Sequence, residues 1–221
     1  ADLVQIKQRL RAVRNKRPKP IRDDKVIAAW NGLMVSAFAR GGQILSRSDY
    51  LDAARRSADF VLKNLAAKDG GLHRTCMEER ARHVGVLDDY AFVIQGLLDL
   101  FEATSESRWL SEALRLQAYL DEAHWDASSG GYFMTAKSAE KLLARDKPDY
   151  DGAIPAGNSI AVLNLMRLYL LTGDTRYEAL GRKLLTSFGQ TLLRSGRAMP
   201  KMLTGLDFAT DDALQVILVS P

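Results

Sequence analysis

Only one cysteine, Cys76, occurs in the 221 residues, so no disulfide can form within the chain and no Cys-x-x-Cys redox pair exists. A lone cysteine behaves as a small apolar residue, and Cys76 is expected to be a buried thiol without function. Histidine is nearly as scarce, with His73, His83 and His124. His73-x-x-Cys76 has a ligand spacing, but no second pair completes a site, so no metal is expected. A Cys–His nucleophile is equally thin. No glycine loop of the phosphate-cradling or dinucleotide type appears, and no cofactor is expected. No apolar run is long enough to cross a bilayer; the most apolar stretch, Ile160 to Leu171, contains Asn164 and Arg167. The first seven residues, Ala1 to Lys7, lack the basic-then-apolar pattern of a signal peptide, which makes a cytoplasmic protein the expectation.

Acidic side chains are almost missing from residues 1–22. Eight basic residues there (Lys7, Arg9, Arg11, Arg14, Lys16, Arg17, Lys19 and Arg22) face one acid, Asp2, for a local charge of +7. The other 199 residues hold 23 basic and 26 acidic side chains, or −3. No aromatics interleave the basic arm to stack bases and the body is mildly acidic, so nucleic-acid binding is not expected. Residues 1–22 read as a basic helix and linker, and 23–221 as one domain. Hydrophobic residues make up 47% and charged residues 26%, ordinary for a chain with a sizeable core.

What the chain does have is a repeat. Ser46-Arg47-Ser48-Asp49-Tyr50, Ser105-Glu106-Ser107-Arg108-Trp109 and Gly173-Asp174-Thr175-Arg176-Tyr177 each open an amphipathic helical pattern, with the aromatics 59 and 68 residues apart. A more apolar helix precedes each, over roughly 25–45, 89–103 and 158–171. Glycine pairs follow the first two units, at Gly70-Gly71 and Gly130-Gly131. The helix from Tyr50 keeps Leu51, Ala54, Ala58, Val61, Leu62 and Leu65 on one stripe, as a surface helix does. The helix from Lys25 is apolar on nearly all sides and reads as buried. A buried inner set and an amphipathic outer set is the pattern of an α/α-toroid; a tetratricopeptide array has a period of only about 34 residues. The expected fold is all-α: an incomplete α/α-toroid of about three and a half helical hairpins. A further helix is expected over about 201–208, and Ala213 to Val219 reads as a short buried C-terminal β-strand.

Several motifs in order resemble one family, the YyaL-type proteins related to the spermatogenesis-associated protein with a thioredoxin-like domain. They are Arg17-Pro18, Asp23-Asp24-Lys25, Trp30-Asn31-Gly32-Leu33-Met34, Leu87-Asp88-Asp89-Tyr90-Ala91, Trp125-Asp126 with Gly130-Gly131-Tyr132-Phe133, and Lys147-Pro148 with Asp151-Gly152-Ala153-Ile154-Pro155-Ala156-Gly157-Asn158-Ser159. Ala156 departs from the serine expected there, which weakens any role for a hydroxyl. The resemblance implies a six-hairpin toroid similar to glycosidases and sugar epimerases, with this sequence matching its second half. It also implies a thioredoxin-like domain, for which this sequence has no segment. Epimerases on this scaffold use histidines for proton transfer, and the few here lie outside the inner helices.

Function is sought where inner helices begin, since helix N-termini expose unpaired N–H groups and positive partial charge. Asp88 and Asp89 head the second inner helix; two carboxylates could divide into general acid and base, or one could be an N-cap. Asp151 and Asn158 bound a loop whose Pro155 and glycines would position groups. These carboxylates are the catalytic candidates. Asp24, Lys25, Trp30, Asn31, Tyr90 and Asn158 are the substrate-binding candidates, with capping, ion pairing or core packing as the competing roles. Two functions stay open: an enzyme-like domain binding or processing a carbohydrate, and a non-catalytic scaffold serving a thioredoxin-like partner. An incomplete ring would also leave apolar flanks, from which a homo-oligomer is expected.

Overall fold

The computed structural model describes residues 2–140 and 143–211; the strand expected over 213–219 lies outside them. Eight α-helices occur among the described residues: α1 Leu3–Asn15, α2 Ala28–Ile44, α3 Ser48–Asn64, α4 Leu87–Thr104, α5 Ser107–His124, α6 Gly157–Thr172, α7 Thr175–Ser195 and α8 Pro200–Thr210. Helices α2, α4, α6 and α8 pack side by side as an inner layer. Helices α3, α5 and α7 cover them from outside, and α1 buries no residue. This is the α/α-toroid arrangement that the repeat implies.

The opening motif of each outer helix folds the same way three times. Tyr50, Trp109 and Tyr177 each occupy the third position of their helix, and Trp109 and Tyr177 are buried. The Arg47 and Arg108 guanidiniums lie over the Tyr50 and Trp109 rings, 4.4 and 3.6 Å from their centroids. The glycine pairs also recur in structure. Gly70 and Gly130 take φ of +89° and +81°, and each turn closes a single antiparallel bridge, Ala66 with Leu72 and Trp125 with Tyr132.

One extended core runs between the layers, including Val35, Leu65, Leu97, Trp109, Leu165 and Leu184. A smaller cluster of Ala29, Ala91, Phe92 and Ile160 joins α2, α4 and α6 near their N-terminal ends. Helices α2 and α4 approach so closely that a Cβ on Gly32 would lie 2.5 Å from the Phe92 carbonyl carbon. Gly96 stands in the same seam, where a Cβ would lie 2.7 Å from the Gly32 carbonyl oxygen.

Two expectations change. The loop after α3 contains an antiparallel hairpin, β2 His73–Met77 and β3 Arg80–Val84, and β1 Val26–Ile27 joins it in the order β1-β2-β3. The protein therefore carries a small sheet on a helical frame. Cys76 is buried in β2, paired with Val26. Helix α2 is not buried all round: Trp30 is 59% and Met34 49% exposed, on a stripe continued by Ala37 and Arg40. An inner helix with a neighbour on only one side keeps an open flank.

Candidate functional site at the inner-helix entrances

The N-terminal ends of α2, α4 and α6 meet at two adjacent aspartates. Asp89 is fully buried. Its Oδ1 accepts the Ala29 N–H of α2 at 3.0 Å, and its Oδ2 accepts the Val86 N–H at 2.9 Å, at the start of its own helix. No side chain of its own segment caps α2, so the acceptor for its free N–H comes from α4. Burial pushes the Asp89 carboxyl up to about 6, against the two backbone N–H groups and Arg74, whose Nη1 lies 3.7 Å away.

Asp88 faces the other way. Its Oδ1 is enclosed against the first turn of α6, where a Cβ on Gly157 would touch it at 2.7 Å, yet it has no well-formed hydrogen bond. Desolvation raises its pKa, while the nearby Gly157 N–H and Arg74 act in the opposite direction. A half-buried carboxyl whose pKa is raised by desolvation and which has an uncommitted oxygen is a candidate for proton transfer.

The other candidates gather around the same turn. Asp151 Oδ1 accepts the Ala156 N–H at 2.9 Å and its Oδ2 accepts the Lys201 N–H at 2.7 Å, tying the approach of α6 to the start of α8. Asn158 is fully buried. It receives the Tyr132 N–H at 2.8 Å and donates to the carbonyls of Tyr132 at 3.0 Å and Pro148 at 2.9 Å. Ala156, not Asn158, holds the α6 N-cap position. The four residues named for catalysis and the α6 entrance are thus brought together, but three of them spend their polar atoms on backbone. Asp88 alone keeps a carboxyl oxygen free.

Of the binding candidates, Trp30 is an exposed aromatic, and it follows directly on the residue that Asp89 holds. Asn31 is tied down, donating to the Ile27 carbonyl at 2.9 Å and accepting from the Ser57 hydroxyl at 3.1 Å. Tyr90 is buried, accepts the Leu72 N–H at 2.9 Å and stacks on Tyr119 at 5.3 Å between ring centroids. Asp24 does not cap α2, which begins at Ala28 after Ile27; it pairs with Arg22 on the exposed approach. Lys25 pairs with Asp23 at 3.2 Å rather than with a carboxylate of the entrance. Arg74 stands on β2, in a segment whose glycine pair signals a loop in the sequence.

A second polar group lies on the inner face. Asp99 of α4 is buried; its Oδ1 accepts from Arg40 at 3.1 Å and faces Arg167 Nη2 at 2.8 Å, and its Oδ2 accepts the Ser36 hydroxyl. Arg167 also reaches Glu102 at 2.8 Å, and Gln95 donates to Ser36 at 3.2 Å. The sequence signal was present: charged residues inside otherwise apolar helices, where burial demands a partner. Among the described residues no group of three or more His, Cys, Asp or Glu side chains could hold a metal ion. No described helix is long and apolar enough to cross a membrane.

Helical hairpins with inner-helix entrances of this kind define the α/α-toroid class, and solved structures agree. The chain superposes on a GH76 α-mannanase from Bacteroides thetaiotaomicron with a TM-score of 0.67 at 13% identity, over 85% of this chain and 53% of that one. A cellobiose 2-epimerase from Bacillus thermoamylovorans gives 0.63 at 14% identity, over 77% and 46%. At such identities the likeness shows the fold alone. In sequence, the chain is 39% identical over 221 residues to spermatogenesis-associated protein 20 of Rattus norvegicus, and equally to that of Homo sapiens. This similarity supports the family that the ordered motifs indicate. The match takes in 96% of the chain, which spans 28% of the length of these relatives. No family model matches the chain.

Proposed function

We propose that the chain forms part of a carbohydrate-binding toroid whose ligand enters at the N-terminal ends of the inner helices. The observation that carries this reading is Asp88: a half-buried carboxyl, raised by burial, with an uncommitted oxygen at the junction of α4 and α6. Trp30 offers a face on which a sugar ring can stack. Arg74, with a side chain 41% exposed, offers donors to hydroxyl oxygens. Asp89, Asp151 and Asn158 hold the three helix entrances in register, and Asp24 and Lys25 border the approach. In a processing reaction Asp88 is the proton donor, since a carboxyl raised by desolvation suits an acid. The mannanase and the epimerase among the structural neighbours support a sugar as the ligand class.

A second reading is a non-catalytic domain that binds its ligand without turnover, alongside the thioredoxin-like domain that the family resemblance implies. It is favoured by one observation: Asp89 and Asp151 each hold two backbone N–H groups, so neither is a second free carboxylate beside Asp88. Titration of the protein with a panel of neutral mono- and disaccharides separates the two. Binding that weakens in Trp30→Ala supports the site. Turnover lost in Asp88→Asn with binding retained supports the enzyme. Binding without any turnover supports the second reading.

A further inference from the structure

Tyr132 joins two helices at once. It lies in the loop between α5 and α6, fully buried, with its ring edge-on to Trp125 at 4.9 Å between centroids. Its hydroxyl donates to Asp121 Oδ1 of α5 at 2.5 Å and accepts from Gln117 Nε2 at 3.0 Å. Gln117 Nε2 also donates to Asp121 Oδ1 at 2.7 Å, which closes a triangle of three side chains. The backbone of the same tyrosine is held by α6. Its N–H donates to Asn158 Oδ1 at 2.8 Å, and its carbonyl accepts from Asn158 Nδ2 at 3.0 Å. A ring packed in the interior gives its hydroxyl and its backbone little freedom to move separately.

Asn158 has no polar atom left over, because its Nδ2 also serves the Pro148 carbonyl at 2.9 Å. It is the second residue of α6, and Gly157 before it is pressed against α4. A Cβ on Gly157 would lie 2.5 Å from Leu87 Cγ and 2.7 Å from Asp88 Oδ1. The first turns of α4 and α6 therefore meet without slack. A displacement of Tyr132 is passed through Asn158 to the free carboxyl oxygen of Asp88.

We propose that Asp121 is a positioning residue for the inner-helix entrance, acting through Tyr132 and Asn158 to set the first turn of α6 against Asp88. Asp121 is half-buried, so solvent protons reach it, while Tyr132 and Asn158 are sealed from solvent. Ionised, it receives charge-assisted bonds from the Tyr132 hydroxyl and the Gln117 amide; protonated, it is a weaker acceptor. The first link of the chain of bonds thus follows pH. Burial pushes the Asp121 carboxyl up to about 6, while the Tyr132 and Gln117 bonds and, most weakly, Arg176 act downward. Arg176 stands in the first turn of α7 and is paired with Asp174 at 2.7 Å; Tyr177 beside it is the other titratable group of that turn that Asp121 influences. Any effect on ligand affinity rests on the carbohydrate reading, whereas the coupling itself does not.

The test is NMR of the ligand-free 221-residue chain, following the Asn158 side-chain amide signals between about pH 4 and 8. In the parent chain they should shift with a midpoint of about 6. Asp121→Asn keeps the acceptor oxygen but cannot titrate, so the transition at Asn158 should vanish. The Ala29 and Val86 amides, held by the other carboxyl raised to about 6, should keep their own transition in this variant, which makes the loss specific. Tyr132→Phe keeps the ring and both backbone bonds to Asn158 but cuts the hydroxyl link, and should flatten the Asn158 transition as well. Thermal melts confirm that each variant folds; if Tyr132→Phe does not, Asp121→Asn decides alone. The proposal is overturned if the Asn158 signals stay in place across the range in the parent chain, or if their transition survives in Asp121→Asn. A transition that is lost in Asp121→Asn, in a protein that binds no saccharide, would leave this coupling standing while the carbohydrate reading fails.

Discussion

Asp89 of α4 accepts the Ala29 N–H of α2 at 3.0 Å, joining two inner helices whose partners lie sixty residues apart in the chain. With its second oxygen on the Val86 N–H, the same carboxyl closes the start of its own helix. Asp89→Ala leaves two enclosed donors without acceptors, a loss of about 2–4 kcal/mol. For a chain of this size the melting temperature should drop by about 5–15 °C. Circular-dichroism melts check this; an unchanged melting temperature would mean that the α2 entrance is held by packing alone.

Burial raises Asp89 and Asp121 to about 6, from an ordinary 3.8. Each therefore binds its proton more tightly in the folded state than in the unfolded one. Their contribution is fully present below about pH 4 and is lost as pH rises through about 6. Stability should accordingly fall between pH 4 and 7. Asp121→Asn tests the cause cleanly, because Asp121 Oδ1 alone accepts from both the Tyr132 hydroxyl, at 2.5 Å, and the Gln117 amide, at 2.7 Å. An asparagine oxygen keeps both bonds, so the variant should be more stable than the parent at pH 7 and show a flatter pH dependence in urea melts.

The α2–α4 seam admits no side chain at Gly32, where a Cβ would meet the Phe92 backbone at 2.5 Å. Gly32→Ala should cost about 1–3 kcal/mol through forced separation of the helices. Gly189, within α7, has nothing within 4 Å of the same position. Gly189→Ala should be neutral or stabilise by up to about 1 kcal/mol, through helix propensity. Denaturant midpoints of the two variants should move in opposite directions.

Much of the frame was legible because helical period, capping chemistry and glycine pairs are local signals. The outer helices begin at Ser48, Ser107 and Thr175, two residues after the residues that open each repeat. The β2–β3 hairpin was hidden by its turn. Glu78 and Glu79 take φ of +50° and +59°, conformations that sequence reading expects of glycine or asparagine. The entrance residues were legible as a group, since the inner helices start where the carboxylates cluster. Their individual commitments were not, because Asp89 caps α2 and Asp151 holds the start of α8, partners set by tertiary contact. The same holds for Asp99, Arg40 and Arg167, which lie on three different helices.

Trp30 carries the most direct test of the sugar reading, because it is the exposed tryptophan at the entrance while Trp109 is buried in the core. The indole N–H signals of Trp30, Trp109 and Trp125 can be followed by NMR during titration with a neutral saccharide panel. At least one sugar should shift the Trp30 signal saturably, with Trp109 unmoved and the shift diminished in Arg74→Ala. A panel that leaves the Trp30 signal in place at tens of millimolar sugar, or that shifts only Trp125, would contradict a carbohydrate site at the inner-helix entrances.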